Sequence, residues 1–94
     1  MNYLISEATA RKLKEKHSVA EHEVLECFQN RIKPTLIDKR EEHKTYPPTQ
    51  WFIAKTNSGR HLKIVFIQIS STEFVIRTAY SPDKTEERLY ERNT

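Results

Sequence analysis

Trp51, Lys55 and Arg77 are the first residues whose types and spacing suggest chemistry. They fall in apolar stretches, Gln50 to Thr56 and Phe74 to Tyr80. An aromatic ring beside two fixed cations suits RNA, through base stacking and phosphate pairing, and it also suits a protein partner. Arg77 stands among Val75, Ile76 and Ala79, where a charge costs free energy unless it is paired or wet. Two readings follow. Either an open sheet face turns Arg77, Lys55 and Trp51 toward a partner, or Arg77 pairs with Glu86 or Glu87 and anchors the last helix.

Other constellations fail on residue type. His17, His22, His43 and His61 have no zinc-like partners at ligand spacing, and a single cysteine cannot build a structural zinc site. No metal and no cofactor are expected. One glycine, Gly59, cannot make a phosphate-cradling loop. Cys27 falls on the apolar face of a predicted helix and reads as a packed thiol. The Lys12, Lys14, Lys16 run reads as a solvated helix face, with phosphate tracking as the alternative.

At 94 residues the chain is expected to form one domain, residues 1–94, with a modest core. Apolar residues make up 36% and charged residues 31%, and the formal net charge is +3. This mild basicity favours a polyanionic partner or an acidic protein. The lone cysteine suggests a reducing, cytoplasmic setting. The N-terminal MNYLISEATARK has no apolar run behind a basic start, so no secretory signal is expected. No stretch approaches the ~20 apolar residues of a membrane span.

Several elements must position these side chains. Tyr3-Leu4-Ile5 is a short apolar entry of strand type. Ser6 can cap a helix from Glu7 to His17, with Ala10 and Leu13 inward. Ser18-Val19-Ala20-Glu21 has the form of a capping box for a second helix, which buries Ala20, Val24, Cys27 and Phe28 and ends at Asn30 in a left-handed cap. Thr35 to Asp38 is strand-like, and Lys39 to Pro48 is a polar loop. A three-stranded antiparallel meander fills Gln50 to Tyr80, with turns at Asn57-Ser58-Gly59 and Ser70-Ser71-Thr72. Ser81 and Pro82 then open a C-terminal helix, as cap and first helical residue. The fold class is α+β, with two N-terminal helices, an antiparallel sheet of three to four strands and a C-terminal helix.

Tight turns at Ser58-Gly59 and Ser71-Thr72 would divide the meander into two faces. Phe52, Ala54, Val65, Ile67, Ile69, Phe74, Ile76 and Thr78 would form the core face. Trp51, Ile53, Lys55, Leu62, Ile64, Phe66, Gln68, Val75, Arg77 and Ala79 would form a mixed one. Lys63 and Tyr80 would then share a face that excludes Arg77, unless a bulge intervenes.

Taken in order, these features resemble a known family. A basic helix ends in Lys16-His17, then come Ser18-Val19 and an acidic helix. Next are a strand ending at Asp38, the Trp51-Phe52 strand, and Gly59-Arg60 leading into Leu62-Lys63-Ile64-Val65-Phe66. Last comes Val75-Ile76-Arg77-Thr78-Ala79-Tyr80, followed by Glu86, Glu87 and Tyr90. Over roughly residues 11 to 92 the chain resembles the BrnT family, small bacterial toxins of type II toxin–antitoxin modules related to RelE-like ribonucleases. The family commonly has glycine where this chain has Ser18, and arginine where it has Tyr80. The resemblance implies a RelE-like fold, RNA cleavage that blocks translation, and action on RNA or the ribosome. It implies a DNA-binding antitoxin as partner, with a homodimer or a heterotetramer as the assembly. A non-catalytic binding domain of the same fold is the alternative.

Metal-free RNA cleavage turns the 2′-hydroxyl on its own phosphate. It needs a base, an acid and cations for the developing charge. The candidate catalytic residues are Arg60, Lys63 and Arg77 as cations, with Tyr80 or His61 exchanging the proton. Lys16, His17, Lys55 and Trp51 are the candidate RNA-binding residues, Trp51 by base stacking. Tyrosine is a poor base near its usual pKa of ~10 unless cations lower it.

Overall fold

The computed structural model describes residues 2–39 and 46–94. In chain order the elements are β1 (Asn2–Leu4), α1 (Glu7–His17), α2 (Glu21–Asn30), β2 (Leu36–Ile37), β3 (Thr49–Lys55), β4 (His61–Gln68), β5 (Glu73–Tyr80) and α3 (Lys84–Asn93). The class is α+β. Most of the expected polar loop, including His43, lies outside the described residues.

Local chemistry sets the helix ends. Ser6 Oγ accepts from Thr9 N–H at 3.1 Å and starts α1. At the other end Ser18 adopts φ 54° and ψ 41°, and Val19 N–H closes the turn on Leu13 O at 3.0 Å. This corrects the expected Ser18 capping box. Ser18 terminates the first helix instead of starting the second, because Val19 must turn into the core, where it is 1% exposed. The reciprocal bonds form two residues later: Ala20 N–H donates to Glu23 Oε1, and Glu23 N–H to Ala20 O, both at 3.0 Å. The second helix does end at Asn30, but without a left-handed cap, since Arg31 follows at φ −62°. The Asn30 side-chain amide donates to Lys55 O and Asn57 Oδ1, each at 2.9 Å, and ties the helix end to the hairpin.

The third helix also starts two residues later than expected. Its cap is Asp83, whose Oδ1 accepts from Glu86 N–H at 2.8 Å, while Glu86 Oε1 accepts from Asp83 N–H at 3.1 Å. This box satisfies two orphan amides at once, which a proline at the first position cannot do.

The sheet has five strands in the order β1-β5-β4-β3-β2. It is mixed: β1 runs parallel to β5, and the other pairs are antiparallel. The expected all-antiparallel sheet is therefore corrected at its first strand, which inserts beside the last by a long-range pairing.

The register corrects the expected faces. Thr56 N–H donates to Arg60 O at 2.8 Å, so the hairpin loop holds three residues, Asn57 to Gly59, and Gly59 takes φ 91°. One extra loop residue slides the pairing by one and swaps every side chain of β4 to the other face. Phe52 lies opposite Ile64, and Ala54 opposite Leu62. These, with Phe66, Phe74, Ile76 and Ala79, face α1 and α2 and are largely buried. The Phe28 ring of α2 meets Phe52, Phe66 and Phe74 with centroids 4.9, 5.3 and 5.6 Å away, and aromatic pairs at such distances add to the area they bury. Val65, Ile67 and Thr78, expected in this core, lie on the opposite face with Trp51, Lys63 and Tyr80. α3 covers part of that second face, where Tyr90 packs 5.6 Å from Trp51.

A bulge does interrupt the β4–β5 ladder. Thr78 pairs with Val65 but Ile76 pairs with Phe66, leaving Arg77 as the extra residue.

Candidate functional site

The sequence candidates divide into a cluster and outliers. Lys63 and Tyr80 are cross-strand partners at the end of the sheet that meets α3. Lys63 is only 7% exposed. Its Nζ lies 2.8 Å from Glu86 Oε2 and 4.5 Å from the centre of the Trp51 ring. Tyr80 Oη donates to the same Glu86 oxygen at 2.8 Å. The α3 cap thus fixes Glu86 through Oε1 and leaves Oε2 to receive an ammonium and a phenol. The His17 ring, at the end of α1, reaches Tyr80 from the other side, with centroids 5.7 Å apart.

Burial, and then the hydrogen bond to Glu86, push the Tyr80 phenol above its ordinary 10.0, and nearby Lys63 only partly opposes this. The phenol therefore stays protonated at neutral pH, with its proton directed at Glu86. Burial also pushes Glu86 upward. Bonds from Lys63, the Asp83 backbone and Tyr80 together outweigh it and hold the carboxyl below its ordinary 4.5. Glu86 is thus a carboxylate at neutral pH.

The other candidates are placed differently. Arg60 is spent on the α1–α2 joint: it donates to Ser18 O at 2.7 Å and His17 O at 3.0 Å, and pairs with Glu23 at 3.3 Å. It therefore braces the backbone of His17. His61 pairs with Glu87 at 3.3 Å. Trp51 is 6% exposed and contacts Lys63 and Tyr90, so it packs beneath α3. Lys16 is exposed in the last turn of α1, and Lys55 is exposed at the far end of β3. Arg77 is exposed and makes no ion pair among the described residues. One of the two roles open to it, pairing with Glu86 or Glu87 to anchor α3, belongs to Lys63, which pairs with Glu86.

Sequence reasoning saw Glu86 only as a counter-ion for Arg77. The available signal was Asp83-Lys84-Thr85-Glu86, which has capping-box spacing and fixes where the carboxylate must sit. Beside the cluster lies a cavity of about 560 Å³ lined by Leu36, Asp38, Trp51, Lys63, Glu86 and Leu89 among others. Among the described residues no three His, Cys, Asp or Glu side chains are grouped to hold a metal ion, and no helix is long and apolar enough to cross a membrane. Cys27 is buried, and burial with nearby Glu23 and Glu26 pushes its thiol up to about 12.

No protein-family model matches this chain, and no curated protein matches it either.

Proposed function

We propose that this chain is a metal-independent endoribonuclease acting as the toxin of a BrnT-like toxin–antitoxin module in the cytoplasm. One observation carries the reading: His17, Tyr80, Lys63 and Glu86 converge at the junction of β5 and α3. His17 takes the 2′-hydroxyl proton. The freed oxygen attacks the adjacent phosphorus, the bond to the 5′-oxygen breaks, and a 2′,3′-cyclic phosphate forms. Tyr80 gives its proton to the leaving 5′-oxygen, and Lys63 steadies the phenolate until water restores the proton. Lys16 is the exposed cation that guides the backbone. A DNA-binding antitoxin is the partner that neutralises the activity.

The purified protein is expected to cut single-stranded RNA in EDTA, leaving cyclic-phosphate and 5′-hydroxyl ends. His17→Ala and Tyr80→Phe should each slow cleavage about 10²–10⁴-fold with the fold intact. The same changes should relieve growth arrest on induction. A folded protein that neither cuts RNA nor slows growth would sink the proposal.

One observation favours a second reading. Lys63, Tyr80 and Arg60 are all committed to internal partners, as in a structural network. A non-catalytic binding domain would then retain RNA in a salt-dependent way and generate no new ends.

A further inference from the structure

The helices cover only part of the second sheet face. The α3 side chains that reach this face contact Trp51, His61, Lys63 and Tyr80. Beyond them the ladder sets Val65 beside Thr78, Ile67 beside Val75, and Val75 beside Leu4. Ile69 continues the row. Leu4 is 43% and Ile69 47% exposed, and the others are half-buried. Among the described residues no element packs over this row.

Two opposite charges bracket it on β5. Arg77 is the extra residue of the bulge. The helix-covered side is dry at Ile76 and Ala79, so its exposure places it on the open side. Glu73 lies four residues earlier, opposite Asn2, with the Ser70 hydroxyl 3.3 Å from its carboxylate. A purely acidic partner would be drawn to Arg77 and repelled by Glu73, and a basic one the reverse. A second copy satisfies both. Under a two-fold axis that runs the facing strands antiparallel, Arg77 of one copy meets Glu73 of the other, twice, across the apolar row.

The geometry points to this open part of the sheet as a homodimer interface. The two sheets stack face to face about 10 Å apart, as paired sheets do. The interface does not depend on ribonuclease activity, so either idea can fail without the other.

Light scattering and sedimentation equilibrium on the intact chain test it. The wild type should weigh twice the chain mass at micromolar concentration, and Ile67→Asp should weigh one. Because Ile67→Asp can disturb folding, the charges provide the second test. Arg77→Glu alone and Glu73→Arg alone should each weaken the dimer at least about tenfold, and the double exchange should restore it to within about threefold. Circular dichroism confirms the fold of each variant. A chain monomeric at every concentration overturns the proposal, even if it binds an acidic polypeptide through Arg77. So does a dimer indifferent to the charge reversals, or one that the double exchange fails to rescue.

Discussion

Glu86 uses its two carboxylate oxygens differently: Oε1 closes the α3 cap, and Oε2 receives Lys63 and Tyr80. Removing the carboxylate leaves a nearly buried ammonium without its counter-ion, 4.5 Å from the centre of the Trp51 ring. Glu86→Ala is therefore expected to cost about 3 kcal/mol, the low end for breaking a buried pair because Glu86 is partly exposed. Lys63→Met in the same background should recover part of the loss, since it removes the stranded charge. Urea denaturation of the single and double variants measures both. Equal stability in Glu86→Ala and wild type would show that Lys63 reaches water unaided. Lys63 and Tyr80 were legible in the sequence as candidates. Their acceptor was not, because chain order does not reveal which carboxylate a cap will aim at a strand.

At the scale of elements, all three helices were readable in existence, the first also in its Ser6 cap and its bounds, and the starts of the second and third were not. Both misplaced caps were serines, Ser18 and Ser81, two residues upstream of the real ones. Ser18 was unavailable because the chain must reverse there in a left-handed conformation, φ 54°. A residue with a Cβ pays about 1 kcal/mol in that region, while glycine does not. Ser18→Gly is thus expected to stabilise the protein by about 0.5–1 kcal/mol and raise its melting temperature by about 2–8 °C. Calorimetry decides; a lower melting temperature would mean that the serine hydroxyl holds the joint in a way the backbone angles do not explain. The meander was legible from its alternation, but its register hung on one loop residue. A two-residue and a three-residue turn are equally compatible with Asn57-Ser58-Gly59, and only the Thr56–Arg60 bond selects between them.

For the whole molecule, pH acts on stability through the same cluster. The Glu86 carboxyl is held below its ordinary 4.5, so its contribution is present above that pH and fades as pH falls through the native value. Tyr80 and Tyr90 are raised above 10.0, chiefly by burial, so theirs are present below that pH and are lost as it rises through the native values. Stability should therefore plateau between these limits. Glu86→Gln should flatten the acid limb, and Tyr80→Phe the alkaline one, as read by urea midpoints across pH. Limbs of unchanged slope in these variants would assign the pH dependence to other groups.

The sequence by itself determined the α+β class, the three helices, the meander and the residues able to do chemistry, because these rest on periodicity and side-chain type within short windows. Tertiary structure alone decided the parallel seat of β1, the bulge that frees Arg77, and the meeting of His17 with Tyr80 across 63 positions of chain. Those depend on loop length and long-range pairing, in which a single residue of slip changes which side of the sheet a charge occupies.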